Sequence, residues 1–202
     1  MRLIARDRAL PQRSIQVFPC AATDRDGEAE FFIVAADYSQ ADPRRGMSSL
    51  HRRPGEWAPA EVTRVKTTRL DTFFRAACPS AARLALWIDA EGEAYKVVQG
   101  ITGVARSVYL LHIEVEAIPC VSPGQKLYPA VKSLLEGIGF TELATDGPPS
   151  MDQFNALFVR TDLPLPVRLR VAAWGLHAMV RHLVGATTRG LRRNGRFGFI
   201  GS

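Results

Sequence analysis

Apolar runs and segments of helical spacing alternate through the middle of the chain. Two of these runs, Leu84–Ile88 and Val108–Ile113, contain almost no charge, and segments with apolar residues at helical spacing separate them. Such strands are typical of a parallel sheet that is buried on both faces. We therefore expect an α/β domain with helices on both faces of its sheet. The pattern predicts strands at 62–67, 84–88, 107–114, 140–143 and 155–160, and helices at 70–77, 93–102 and 128–138.

The ends of this last stretch and the start of the chain predict hairpins and a loop. The strands at 140–143 and 155–160 follow each other without a helix, which favours antiparallel pairing. A short helical pattern over residues 1–13 stops at Pro11, and 14–18 and 28–34 predict two strands joined as a hairpin through the turn at 23–27. Residues 37–60 are rich in Pro, Gly, Ser and Arg, so we expect a functional loop there.

The C-terminal region differs from the rest in charge and in periodicity. At 100° per residue Leu169, Leu176 and Val180 share one arc with other apolar residues, whereas Arg170 lies off it. This pattern predicts an amphipathic helix over 167–184, followed by a basic tail. We accordingly divide the chain into a domain at 1–163 and a helix and tail at 164–202. The helix is expected to cover the sheet, to form a homo-oligomer, or to lie on an anionic membrane surface.

Charge and cysteine content narrow the classes of protein. The net charge is +6, but no acidic residue follows Asp162 and seven arginines do, so the body is near neutral and nucleic-acid binding is disfavoured. Three widely spaced cysteines fit neither a disulfide framework nor a zinc ribbon. The charged N-terminus does not resemble a secretory signal. We expect a cytoplasmic protein, and the spacing of its four histidines gives no metal site.

Carboxylates follow the predicted strands at their carboxyl ends, where open α/β sheets bind ligands. Asp89, Glu91, Gly92 and Glu93 follow the strand at 84–88, and Glu114 ends the strand at 107–114. A carboxylate at such a place can accept a proton or orient a hydroxyl group. The alternatives are that Asp89 caps a helix and that Glu114 and Glu116, which follow each other two residues apart, form the solvated exit of a strand. The loop serines, Ser48 and Ser49, lack the context of a nucleophilic serine.

The order and spacing of several motifs resemble those of the FkbM-type S-adenosylmethionine-dependent methyltransferases. The resemblance covers residues 14–160, and no single motif carries it. The motifs are Ala21–Phe31, Gly46–Leu50, Val65–Phe74, Leu86–Glu93, Ile113–Val115, Gly139–Phe140 and Asn155–Phe158.

This resemblance implies a class I, Rossmann-like methyltransferase fold that transfers a methyl group to a hydroxyl of a sugar, polyketide or other small molecule. It implies S-adenosylmethionine as the cofactor. The residues that it places at the site are Asp89 and Glu91 for catalysis; Ala21, Ala22, Asp89 and Gly92 for the cofactor; and Ser48, Ser49, Asp71, Glu93 and Glu114 for the acceptor.

The chain departs from the family at its beginning. Family members start with a strand, a glycine-rich turn for the cofactor and a second strand that ends in an acidic residue, and the sequence contains none of these. We therefore expect an N-terminally incomplete sheet, from a truncated reading frame or from a remnant that a partner completes. Cofactor binding by this chain alone is expected to be weak or absent. The alternative function is a non-catalytic binding or assembly module derived from a methyltransferase.

Overall fold

Seven strands and four α-helices make up the fold in the part of the chain that the structure, a computed structural model, describes. That part is residues 16–36, 42, 44, 46–53, 55, 59–77, 83–148 and 150–194, with the side chains of the last helix described as far as residue 180. The helix predicted over 1–13 lies outside it. The elements are β1 (Cys20–Ala22), β2 (Gly27–Ile33), β3 (Glu61–Thr68), α1 (Leu70–Ala77), β4 (Leu84–Ile88), α2 (Ala94–Gly100), a 3-10 helix (Thr102–Ser107), β5 (Val108–Glu116), α3 (Tyr128–Gly137), β6 (Phe140–Thr145), β7 (Gln153–Arg160) and α4 (Leu165–Asn194).

The strands form two mixed sheets, so the mixed α/β class is confirmed and the expectation of one parallel sheet is wrong. One sheet has the order β1-β3-β2 and the other the order β4-β5-β7-β6. β1 pairs with β3 in parallel, and β4 pairs with β5 in parallel. In each case the chain reverses direction twice between the two strands, through β2 in the first case and α2 in the second. The predicted antiparallel pairing of the last two strands is confirmed by β6 and β7.

The predicted hairpin between the first two strands is wrong. β3 lies between β1 and β2, pairing with β1 in parallel and with β2 antiparallel. The side chain of Asp26 explains this order, since it accepts hydrogen bonds from Thr68 Oγ1 and the Arg69 backbone N–H at 3.1 and 2.9 Å. These bonds fix the turn after β1 to the end of β3, so β2 starts on the far edge of β3.

β5 forms the centre of the larger sheet, and its side chains are buried on both faces. Leu111, Ile113 and Val115 face α2 and α3, whereas Leu110 faces α4. Helices thus cover both faces of this sheet, as predicted. For β4 the prediction of two buried faces is wrong, because α4 packs over β5 and β7 and leaves Trp87 52% exposed, stacked on His112 with ring centroids 3.7 Å apart.

α4 is longer than the predicted helix, and its N-terminal half packs on the sheet. Met179 is buried against Leu110 and Val159, and a Cβ at Gly175 would lie 2.9 Å from Leu110 Cδ1. The absence of a side chain at this position therefore sets how closely the helix approaches β5. Among the described residues, no helix is both long and apolar enough to cross a membrane.

Candidate active site

Neighbouring strand ends bring three carboxylates together at one end of the larger sheet. Ile88 pairs with Ile113, so the next residues, Asp89 and Glu114, lie beside each other where β4 ends and β5 continues to Glu116. Glu91 follows in the turn after β4. Carboxylate oxygens of Asp89, Glu91 and Glu114 all lie within 4.8 Å of one another. The sequence prediction that these strand ends meet is therefore correct in its geometry.

The turn after β4 has the backbone conformation that directs Glu91 toward this group. Glu91 has a φ of +34° and Gly92 a φ of +88°, a region that side chains beyond glycine rarely adopt. A Cβ at Gly92 would also lie 2.9 Å from Val121 Cγ1. The Gly92 N–H donates to Glu116 Oε1 at 2.8 Å. Glycine at position 92 therefore allows both the backbone conformation of the turn and its close packing against Val121.

Burial and like charge shift the titration of the carboxyl groups. Burial, followed by the nearby charge of Asp89, raises the pKa of Glu114 to about 8. Burial also raises the pKa of Glu91 and of Glu116. The guanidinium of Arg53 forms an ion pair with Glu91, which partly offsets the repulsion. At neutral pH the group therefore holds at least one proton, carried by Glu114.

A cleft of about 370 Å³ opens beside these carboxylates. Its volume lies in the range of about 300–1,000 Å³ that is usual for small-molecule sites. Ala21, Ala22 and Phe31 contribute apolar lining to the cleft, and Asp89 and Glu91 contribute acidic lining. The predicted residues that line the cleft are Ala21, Ala22, Ser48, Ser49, Asp89, Glu91 and Glu93.

The two loop serines tie the segment that closes the cleft to the strands. The Ser49 hydroxyl donates to the Glu91 carbonyl at 2.6 Å and accepts from the His51 N–H at 3.0 Å. The Ser48 hydroxyl accepts from the Val34 N–H at 3.1 Å. Ser49 is also bridged to Phe32 of β2 through its backbone. This part of the predicted functional loop is therefore held against the turn that carries Glu91.

Glu93 is buried below the cleft and is bound on several sides. Thr23 Oγ1 donates to its Oε2 at 2.8 Å, while Lys96 Nζ and His51 Nε2 lie 2.7 and 2.8 Å from its Oε1. Burial opposes its ionisation, but the bonds from His51, Lys96 and Thr23 together outweigh this and lower its pKa to about 2. Glu93 is therefore a fixed negative charge. Its contacts link Thr23, before the turn into β2, with His51 of the loop and Lys96 of α2.

Asp71 is not brought to the cleft. It lies in the first turn of α1, where it pairs with Arg69 at 2.8 Å and accepts from the Gly103 N–H at 3.2 Å. Its hydrogen bonds with Arg69 lower its pKa. Its position therefore supports the packing of α1 against the 3-10 helix rather than contact with an acceptor bound beside Asp89.

The sequence places Glu116 beside Glu114 at the end of one strand, with a solvated strand exit as the alternative. The structure shows Glu116 buried, and two residues along a strand put it on the same face of the sheet as Glu114. Sequence reasoning missed Arg53, because it reaches Glu91 from the loop 38 residues earlier and no local pattern marks it. The prediction of no metal rested on histidine and cysteine, whereas the oxygens of Asp89, Glu91 and Glu114 are a set that can hold a hard divalent cation.

Comparison of the chain with protein-family models, with curated proteins and with solved structures gives no match. The class of protein therefore follows as a proposal from the residues and the geometry of the cleft.

Proposed function

We propose that the chain, although it lacks the family's glycine-rich turn, binds S-adenosylmethionine weakly in the cleft beside Asp89 and transfers its methyl group to a hydroxyl oxygen of a small molecule or saccharide. The observation that carries this proposal is the acidic group where β4 ends beside β5, which borders a cleft that is also lined by apolar side chains. The resemblance to FkbM-type methyltransferases supports the same activity, and with it a class I methyltransferase fold.

The cleft suits a ligand that has both a positive centre and a flat aromatic part. Asp89 and Glu91 present negative charge on one side, and a sulfonium or ammonium group is the complement of that charge. Ala21, Ala22 and Phe31 add apolar lining to the cleft, which suits an adenine ring. In our proposal these residues hold the cofactor. When bound, the cofactor supplies a methyl group that is activated by its bond to positively charged sulfur.

The Asp89–Glu114 pair is suited to remove the proton of the acceptor hydroxyl. Asp89 lines the cleft, and Glu114 lies behind it with a pKa of about 8. A base whose pKa lies near the working pH is most effective in proton transfer. The hydroxyl proton passes to the carboxylate pair, the oxygen forms a bond to the methyl carbon, and the electron pair of the carbon–sulfur bond stays with sulfur.

Arg53 and Ser49 keep the carboxylates in place during this step. Arg53 is buried and pairs with Glu91, and its Nε also donates to the Met47 carbonyl at 3.1 Å. Ser49 holds the backbone of Glu91. Both residues join the loop to the turn after β4. The cleft side of the pair stays open to a ligand, since Asp89 is exposed.

Transfer of a labelled methyl group to a panel of sugar and polyketide hydroxyls tests the proposal. We expect the wild-type rate to rise with pH through about 8, as the Asp89–Glu114 pair becomes fully ionised. Glu114→Gln should lower the rate by about 10²–10⁴-fold, the usual contribution of a general base. Glu136→Gln, on the exposed side of α3, is the matched control. A folded chain that binds neither donor nor acceptor would favour the non-catalytic binding module instead.

A further inference from the structure

α4 has two apolar faces, and one of them points away from the protein. Val171 and Met179 lie on the face that packs against β5 and β7. The second face lies within an arc of about 80° at helical spacing and runs about 22 Å along the helix. We call it the outer stripe, and it consists of Leu165, Leu169, Ala173, Leu176 and Val180.

The large side chains of the outer stripe are exposed to solvent. Leu165, Leu169 and Val180 are 57%, 61% and 55% exposed, and Leu176 is 39% exposed. This is the arc on which sequence analysis found the amphipathic pattern, so the core of the domain does not account for it. Four large apolar side chains aligned on one helix face indicate a surface that meets an apolar partner.

The charge around the outer stripe is positive. Arg170 is exposed and lies just beyond one side of the stripe on the helix. No acidic residue follows Asp162 in the sequence, whereas seven arginines do. A partner for this face therefore has to combine apolar groups with negative charge.

A second copy of the chain does not meet that requirement. Two copies of α4 joined through their outer stripes would place the same arginines on both sides of the interface. Like charges held this close repel each other. An anionic phospholipid surface has both properties, since acyl chains accept the leucines and valine while phosphate groups attract the arginines.

We propose that the outer stripe of α4 binds an anionic phospholipid surface, with α4 lying in the plane of the interface. The helix stays packed on β5 and β7 through Val171 and Met179 in this arrangement, since those residues occupy a different face. The proposal does not depend on methyl transfer, because it uses none of the residues around the cleft.

Co-sedimentation of the full chain with lipid vesicles tests the proposal. One set of vesicles contains phosphatidylcholine alone, and the other contains phosphatidylglycerol in addition. We expect binding to the anionic vesicles that weakens as salt is raised. Leu169→Glu with Val180→Glu should weaken it by at least about tenfold, because two apolar side chains that would be buried in the lipid are lost. Arg170→Gln should weaken it by about fivefold.

Ile118→Glu is the matched control, since Ile118 is an apolar residue of similar exposure in the loop after β5. It should bind vesicles as the wild type does, and circular dichroism should show that all variants are folded. Absence of binding to either vesicle, or equal binding to both, would overturn the proposal. So would self-association in sedimentation velocity that the double variant abolishes, because the occupant of the stripe would then be a second copy.

Discussion

Asp89 and Glu114 lie side by side at the carboxyl ends of neighbouring parallel strands, with carboxylate oxygens within 4.8 Å of each other. Burial of Glu114 and the charge of Asp89 raise the pKa of Glu114 to about 8. Glu114 thus holds a proton at neutral pH beside the carboxyl group of Asp89. This relationship links the fold to a function, because it makes a base that titrates near physiological pH.

The same pair makes the stability of the protein depend on pH on the alkaline side. The pKa of Glu114 rises from 4.5 to about 8 on folding, so the folded state favours its protonated form. The stabilisation is complete below pH 4.5 and is lost as the pH rises through about 8. We expect the midpoint of urea unfolding to fall between neutral pH and pH 9, and Glu114→Gln to reduce that fall. An unchanged pH dependence in the variant would show that Glu114 does not carry it.

Glu93 produces the opposite dependence on the acid side. Its folded pKa is about 2 against an ordinary value of 4.5, so its stabilisation is present above pH 4.5 and is lost as the pH falls toward 2. Glu93→Gln should lower the free energy of unfolding at pH 7 by up to about 3 kcal/mol. The variant should also lose part of the acid dependence. The exposed Glu136→Gln should leave both quantities within about 0.5 kcal/mol of wild type, and urea unfolding at several pH values measures them.

Gly92 and Gly124 form a matched pair for the turn after β4. Both have a positive φ, but a Cβ at Gly92 would contact Val121 at 2.9 Å, whereas a Cβ at Gly124 would meet nothing within 4 Å. Gly124→Ala should cost about 1 kcal/mol of stability through backbone strain alone. Gly92→Ala should cost about 2–4 kcal/mol, because strain and overpacking add. Equal losses in chemical denaturation would contradict the close packing of this turn.

The approach of α4 to the sheet gives a further prediction. Gly175 lies where a Cβ would be 2.9 Å from both Cδ atoms of Leu110. Gly175→Leu should destabilise the protein by about 1–3 kcal/mol, since it overfills a packed interface. Gly137→Leu places the same side chain near the end of α3 with nothing within 4 Å, and it should be neutral or slightly stabilising. Thermal unfolding compares the two, and a stable Gly175→Leu variant would mean that α4 packs more loosely.

Sequence pattern predicted the elements of the larger sheet well, because each has a local signal. β7 and α3 fall within two residues of their predicted bounds, and the acidic strand ends follow from the end of an apolar run. The division into two sheets has no such signal. The strand order of the smaller sheet also has none, since it involves the bonds from the end of β3 to the Asp26 side chain, on the turn between β1 and β2.

Two further features could not be predicted from local sequence pattern: a contact in the candidate site and the packing of α4. The pairing of Arg53 with Glu91 joins residues far apart in sequence, and it depends on how the loop folds over the turn. For α4 the periodicity gives an apolar arc, but it does not tell whether the core covers that arc. In the structure a different face, with Val171 and Met179, packs on the sheet, because Gly175 lets the helix approach Leu110 there.

The most direct test of the central claim is isothermal titration of S-adenosylmethionine and of S-adenosylhomocysteine into the folded chain. The two ligands differ by a methyl group and by the positive charge on sulfur, which is the charge that Asp89 and Glu91 are proposed to attract. The account predicts saturable binding of both, tighter for S-adenosylmethionine, with the difference reduced in Asp89→Asn. Absence of binding, or an equal preference that Asp89→Asn leaves unchanged, would contradict the assignment of this cleft to the methyl donor.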